Sequence, residues 1–286
     1  MSYQIVDGAG GRDLVLSGAW SAEAEEIVTG GVADGLVINY ARGYSDRDIV
    51  IPGHLPIKRL NIILRSAKNM EPIYAIGHSL ESLSVQVDPQ VQIDLSRLPR
   101  LRHLATGWKQ VSDSVHEAKN LRSISLLTYS APDLTPLIAL SSLTKISLKH
   151  FPSIRSLHGI EEFRHLESLG IFTGRYLDDI SALARLQDQN LIDLSLSSCR
   201  RISALDAVGD CAGLRYLDMS DGGTIDSVAP LARLRSLVRL YLHGSTRIAD
   251  GDLAPIAGFT NLHDFRMMNR STYRPSVGEI QASLPS

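Results

Sequence analysis

Eleven times between Ala33 and Met267 the chain repeats a hexad of the form Leu-x-x-Leu-x-Leu, as in Leu191-Ile-Asp-Leu194-Ser-Leu196. The hexads start at Ala33, Ile57, Leu80, Leu101, Leu121, Leu143, Leu166, Leu191, Leu214, Leu237 and Leu262, so they recur every 20 to 25 residues. The alternation at positions three to six marks a strand with one buried face. A unit this short cannot enclose a core of its own and buries its leucines only by stacking on its neighbours. The repeat therefore predicts one continuous array from residue 33 to 270, with about eleven parallel strands.

Between hexads the apolar spacing changes to every third residue: Ile154, Leu157, Ile160, Phe163; Ile202, Leu205, Val208, Cys211; Ile225, Val228, Leu231, Leu234. Helical spacing would drift away from this rhythm, so the return segments are predicted to be turns and 3-10 stretches. The two cysteines, Cys199 and Cys211, fall inside the array, and Cys211 occupies a core slot. Two thiols are too few for a disulfide-capped secreted repeat protein, and no apolar leader or span is written in the sequence; this reads as a cytoplasmic chain. With 29 basic and 31 acidic residues the chain has no global attraction for nucleic acid or an anionic membrane.

The units, of which Leu231-Ala-Arg-Leu234-Arg-Ser-Leu237-Val-Arg-Leu240-Tyr-Leu242 is typical, resemble the short leucine-rich repeats of bacterial internalins and of a eukaryotic phosphatase regulator. The resemblance covers about residues 33 to 270. It implies an α/β fold: a right-handed leucine-rich repeat solenoid with a parallel concave sheet and turns on the convex side, of bacterial origin. The chain departs from that family at the ninth residue of the unit, where the usual Asn is replaced by Tyr129, Phe151, Gly174, Cys199, Gly222 and Ser245. Residues 1–32 are expected to cap one end, with a hairpin around Asp7-Gly-Ala-Gly-Gly11, a short helix after Ser21 and Trp20 as anchor. Residues 271–286 would cap the other end, around Val277, Ile280 and Leu284, or form a tail.

Motifs that suggest chemistry fail on context. Gly8-Ala-Gly10-Gly11 lacks the third glycine and the following helix of a dinucleotide loop. Ser142-Leu-Thr-Lys145 overlaps a predicted strand rather than a helix that would join Ser to Lys. The nine histidines have no metal-ligand spacing, so no metal or cofactor is expected. Ser195, Asp218 and His243 fall on three consecutive strands, but Asp218 and His243 would be about 8 Å apart at their backbones on an open sheet, and no catalysis is expected.

The third, fifth and seventh hexad positions should face outward. Early strands place small residues there, such as Ser82, Ser84 and Ser123. The last three place Tyr216, Asp218, Arg239, Tyr241, His243, Asp264 and Arg266, a composition suited to a protein interface. A solvated face with cross-strand charge pairs, Asp218 with Arg239 or Arg266 and Asp264 with Arg239, is the alternative. Lys145, Lys149 and Phe172, beside His150, form a candidate accessory spot for an acidic partner. The resemblance implies a non-enzymatic binding scaffold whose partner is another protein; the oligomeric state stays open, with a monomer favoured. That partner could be a toxin domain neutralised by an intracellular immunity or adaptor protein. The alternatives are a regulatory subunit of an enzyme such as a phosphatase, or an exported effector or adhesin.

Overall fold

The computed structural model describes residues 3–8, 10–186 and 190–285. The chain packs as two compact units, Met1–Ser125 and Leu126–Ser286. In the first, β1 (Tyr3–Gly8) and β2 (Gly11–Leu16) form an antiparallel hairpin with Gly8 opposite Gly11. Strand β2 then pairs in parallel with β3 (Gly35–Asn39), followed in chain order by β4 (Arg59–Ile63), β5 (Ser82–Gln86) and β6 (His103–Gly107). Strand β7 (Ser123–Leu127) spans the boundary between the units.

In the second unit a parallel ladder runs through β8 (Lys145–Lys149), β9 (Ser168–Ile171), β10 (Asp193–Ser195) and β11 (Tyr216–Asp218). After β12 (Thr224–Ile225) come β13 (Arg239–Leu242), β14 (Arg247–Ile248) and β15 (Asp264–Met267); β11, β13 and β15 pair in turn, while β12 and β14 form a separate two-stranded sheet. Among the described residues each of the eleven hexads yields one parallel strand.

The cause is the predicted one. The residues at positions one, four and six of all eleven hexads are buried, none more than 7% exposed. Thr106 is the polar member of that set, and its hydroxyl is 3.0 Å from the Gln110 amide oxygen. The return segments carry 3-10 turns such as Thr135–Leu137, Ile160–Glu162 and Ala229–Arg233, and single α-turns such as Asp206–Gly209. The threefold apolar rhythm seats Ile202, Leu205, Val208 and Cys211 in the core.

Cys199 and Thr246 do the work of the missing asparagine. Cys199 Sγ lies 3.5 Å from the Ile171 carbonyl, and Thr246 Oγ1 donates to the Met219 carbonyl at 2.7 Å while accepting from Gly222 N at 2.9 Å. Both carbonyls belong to the sixth hexad residue of the preceding unit, so one side chain ties each turn to the last. The expected ninth-residue position is corrected in the tenth copy: Ser245 is exposed and its neighbour Thr246 is buried. Burial pushes both thiols up to about 12, which keeps them protonated and unreactive.

The helix Ala22–Thr29 begins where Ser21 accepts the Ala24 N–H, and it buries Ala24 and Val28. Trp20 is not the anchor expected of it: it is only partly buried, and its backbone N–H reaches Asp46. Arg59 has that role, because its guanidinium donates to Gly10 O, Asp13 Oδ1 and Asp34 Oδ1 at 2.6, 3.0 and 2.7 Å. At the other terminus Ser276 and Glu279 form a capping box for the helix Val277–Ser283, which buries Val277 and Ile280 and sends Gln281 Nε2 to Phe265 O on β15. Leu284 is only partly buried.

Candidate functional site

The outward columns of β11, β13 and β15 are set by register. Tyr216 lies opposite Arg239, which lies opposite Asp264; Asp218, Tyr241 and Arg266 form the next row. Because Leu217, Leu240 and Phe265 between them are locked into the core, these alternating residues must face away from it. Five of them join. The Tyr216 and Tyr241 rings meet edge to face with centroids 5.4 Å apart. Arg239 stacks over Tyr216 at 4.8 Å and Arg266 over Tyr241 at 4.5 Å. Tyr241 donates its hydroxyl to Asp264, whose carboxylate also accepts two hydrogen bonds from Arg266, at 3.0 and 2.9 Å.

The electrostatics follow from these contacts. Arg266 holds the Asp264 carboxyl below its ordinary range, and the same carboxylate raises the Tyr241 phenol. Burial raises Tyr216. Both phenols therefore stay protonated at neutral pH as donors and as rigid contact area, which suits docking rather than proton transfer. Arg239 makes no ion pair among the described residues, so its guanidinium donors remain available above the ring.

Two residues of the expected group stand apart. Asp218 turns its carboxylate to its own strand exit and accepts the Ser220 N–H at 2.8 Å. His243 is exposed beyond the end of β13 and joins none of these contacts. The charge pairs foreseen for a purely solvated face, Asp218 with Arg239 or Arg266 and Asp264 with Arg239, do not form; Asp264 pairs with Arg266 on its own strand.

The accessory group is also rearranged. Lys149 lies 5.7 Å from the Phe172 ring, and Phe172 folds back over Gly170, where a Cβ would come within 2.7 Å of it. Lys145 sits four residues earlier on β8, about 13 Å away along the strand, and is exposed and separate. Other residues take its place at the strand exits: Arg175 over Phe151 at 4.3 Å and Arg155 over Tyr176 at 5.6 Å. Reading outward strand columns missed these, because they lie in the turns; the signal in the sequence is a basic and an aromatic residue two to four places apart after both hexads.

No protein-family profile and no curated protein matches the chain. Solved structures do. An internalin, InlF from Listeria monocytogenes, superposes with a TM-score of 0.65 at 19% identity over 96% of this chain and 85% of its own. The functional domain of InlJ from Listeria monocytogenes, described as including a cysteine ladder, gives 0.51 at 17% over 80% of this chain and 55% of its own. The TDR receptor gives 0.58 at 17% identity over 88% of this chain and 46% of its own. Together with the eleven-strand ladder and its buried hexads, these likenesses identify the fold as a leucine-rich repeat solenoid.

Proposed function

We propose that the protein is a non-enzymatic scaffold that binds another protein through the outward face of β11, β13 and β15, centred on Tyr216, Arg239 and Tyr241. The observation that carries this reading is the stack of two tyrosines under two guanidinium groups. Charge pairing accounts for Asp264 and Arg266, but gives no reason to hold two aromatic rings at the surface beside a guanidinium that has no carboxylate partner among the described residues. Aromatic and arginine side chains on a rigid sheet lose little entropy on docking and are the residue types that dominate interfaces. Two buried, unpaired thiols support a reducing compartment, and on this reading the partner is a cytoplasmic protein. A toxin domain neutralised by occlusion is the partner class that a preformed, tight-binding surface suits best.

The test begins with affinity capture from the native host and identification of the bound protein, followed by titration calorimetry. Tyr216→Ala and Tyr241→Ala should each weaken binding by about 2 kcal/mol or more without altering the fold, whereas Ser82→Ala and Ser123→Ala should change little. Equal affinities for all four variants and the parent chain would place the interface elsewhere. Growth protection in the presence of a captured toxin separates neutralisation from the regulation of a phosphatase or similar enzyme.

A further inference from the structure

A second surface in the same unit also sets cations against aromatic rings, but in the turns rather than on the strands. At the strand exits of β8 and β9, Lys149, Arg155 and Arg175 lie against Phe172, Tyr176 and Phe151, one cation to each ring. None of the three cations makes an ion pair among the described residues. The two carboxylates three and four residues after Arg175 are already engaged, Asp178 with Arg201 at 2.9 Å and Asp179 with Ser156 and Ser181. Phe151 and Tyr176 are 56% and 47% exposed, high for rings of that size.

The backbone gives an independent sign that Phe151 is held outward. Tyr129 and Phe151 are both the ninth residue of their units, yet Tyr129 is fully buried. The difference lies in one extra left-handed residue: the neighbouring turns have a single one, at Thr128, Thr173, Ser198 and Asp221, whereas this turn has two, His150 at φ 57° and Phe151 at φ 59°. That second conformation swings the ring from core to solvent. It is unfavourable for a bulky L-residue, and such a conformation persists only where the surroundings impose it. The Phe151 N–H is fixed by Thr173 Oγ1 at 3.0 Å, which joins the two turns into one surface.

We propose that this rim docks an acidic, aromatic-bearing segment of a partner protein, its carboxylates meeting the three unpaired cations and its apolar groups the exposed ring edges. The proposal extends the protein-binding reading above to a second surface and can fail without it. Single-stranded nucleic acid is the competing class. It stacks on open ring faces, and here a cation already covers one face of each ring; a formal net charge of −2 adds no long-range attraction for a polyphosphate.

The full chain is titrated at low ionic strength with a labelled random copolymer of glutamate and tyrosine, and with polyglutamate and oligothymidylate for comparison. The copolymer should bind saturably and more tightly than either. The double variant Arg155→Ala, Arg175→Ala should weaken it about tenfold, and Phe151→Asn by a similar factor. Because asparagine tolerates positive φ, Phe151→Asn should leave Tm unchanged or raise it, a result that a merely structural ring would not give. Tyr216→Ala should leave copolymer binding untouched. Absence of saturable binding, equal binding by the rim variants, a lowered Tm for Phe151→Asn, or tighter binding of oligothymidylate would each overturn the proposal. Copolymer binding lost in Tyr216→Ala alone would do the same while leaving the outward-face reading intact.

Discussion

Arg59 on β4 and Arg239 on β13 occupy the same position, the third of their hexads, which alternation turns away from the core, yet they have opposite fates. Arg59 has only 21% of its side chain exposed and is held by two carboxylates and by the carbonyls of Gly10 and Arg12. Arg239 is exposed, lies over a tyrosine ring and has no carboxylate partner among the described residues. The neighbour across the preceding strand decides between them. Opposite Arg59 is Gly35, which leaves room for the guanidinium to reach Asp13; opposite Arg239 is Tyr216, whose ring fills that space and lifts the charge to the surface. An outward residue on such a sheet becomes structural or free for recognition according to what its neighbour leaves open.

The largest effect should come from Arg59→Ala, which strands Asp13, leaves Asp34 with only Lys58 at 3.7 Å, and unpins the hairpin. Breaking a buried pair removes about 3–5 kcal/mol, and the partial exposure here lowers the expectation to about 2–3 kcal/mol. A denaturation midpoint unchanged by that substitution would break the comparison at its structural end. Gly35→Ala should follow with about 1–3 kcal/mol of overpacking, since its Cβ would land 1.8 Å from Asp13 Oδ1 and 3.0 Å from Arg59 Nη2. If alanine is accommodated there, the glycine is not what admits the arginine.

Acid sharpens the same point more gently. Arg59 holds Asp34 below the ordinary carboxylate value of 3.8, so this contribution is complete above that pH and is lost as pH falls through the lower folded value. Stability measured from neutral pH down through that range should fall less steeply in Arg59→Ala than in the parent chain; parallel curves would remove Asp34 from the account. Smallest of all, Arg239→Ala should shift stability by no more than about 0.5 kcal/mol, as surface changes usually do. A larger loss by thermal melting would mean that Arg239, like Arg59, holds the fold together.

Much of this was legible in the residues alone. The strands at Leu191, Leu214 and Leu237 follow from hexads whose leucines have no other way to leave water, and the buried Leu194, Leu217 and Leu240 follow with them. The outward direction of Tyr216, Arg239 and Tyr241 came from the same alternation. What escaped was everything set by turns. Phe151 reads as a core ladder residue by position, and only the pair of left-handed residues at 150–151 turns it out. Lys145 and Lys149 read as neighbours on one strand, and only Lys149 reaches a ring.

The sequence by itself determined the repeat, the parallel strands, the buried column and which faces point outward, because a period of apolar residues is a local signal repeated eleven times. The tertiary structure alone decided who meets whom across strands and turns: Arg59 with Asp13 and Asp34, Arg266 with Asp264, Arg175 with Phe151, Thr246 with the Met219 carbonyl. All but one of these contacts join residues twenty or more positions apart, and the exception, Arg266 with Asp264, is a choice between carboxylates that periodicity leaves open. They depend on register, on side-chain reach and on single backbone conformations, which no one-dimensional pattern encodes.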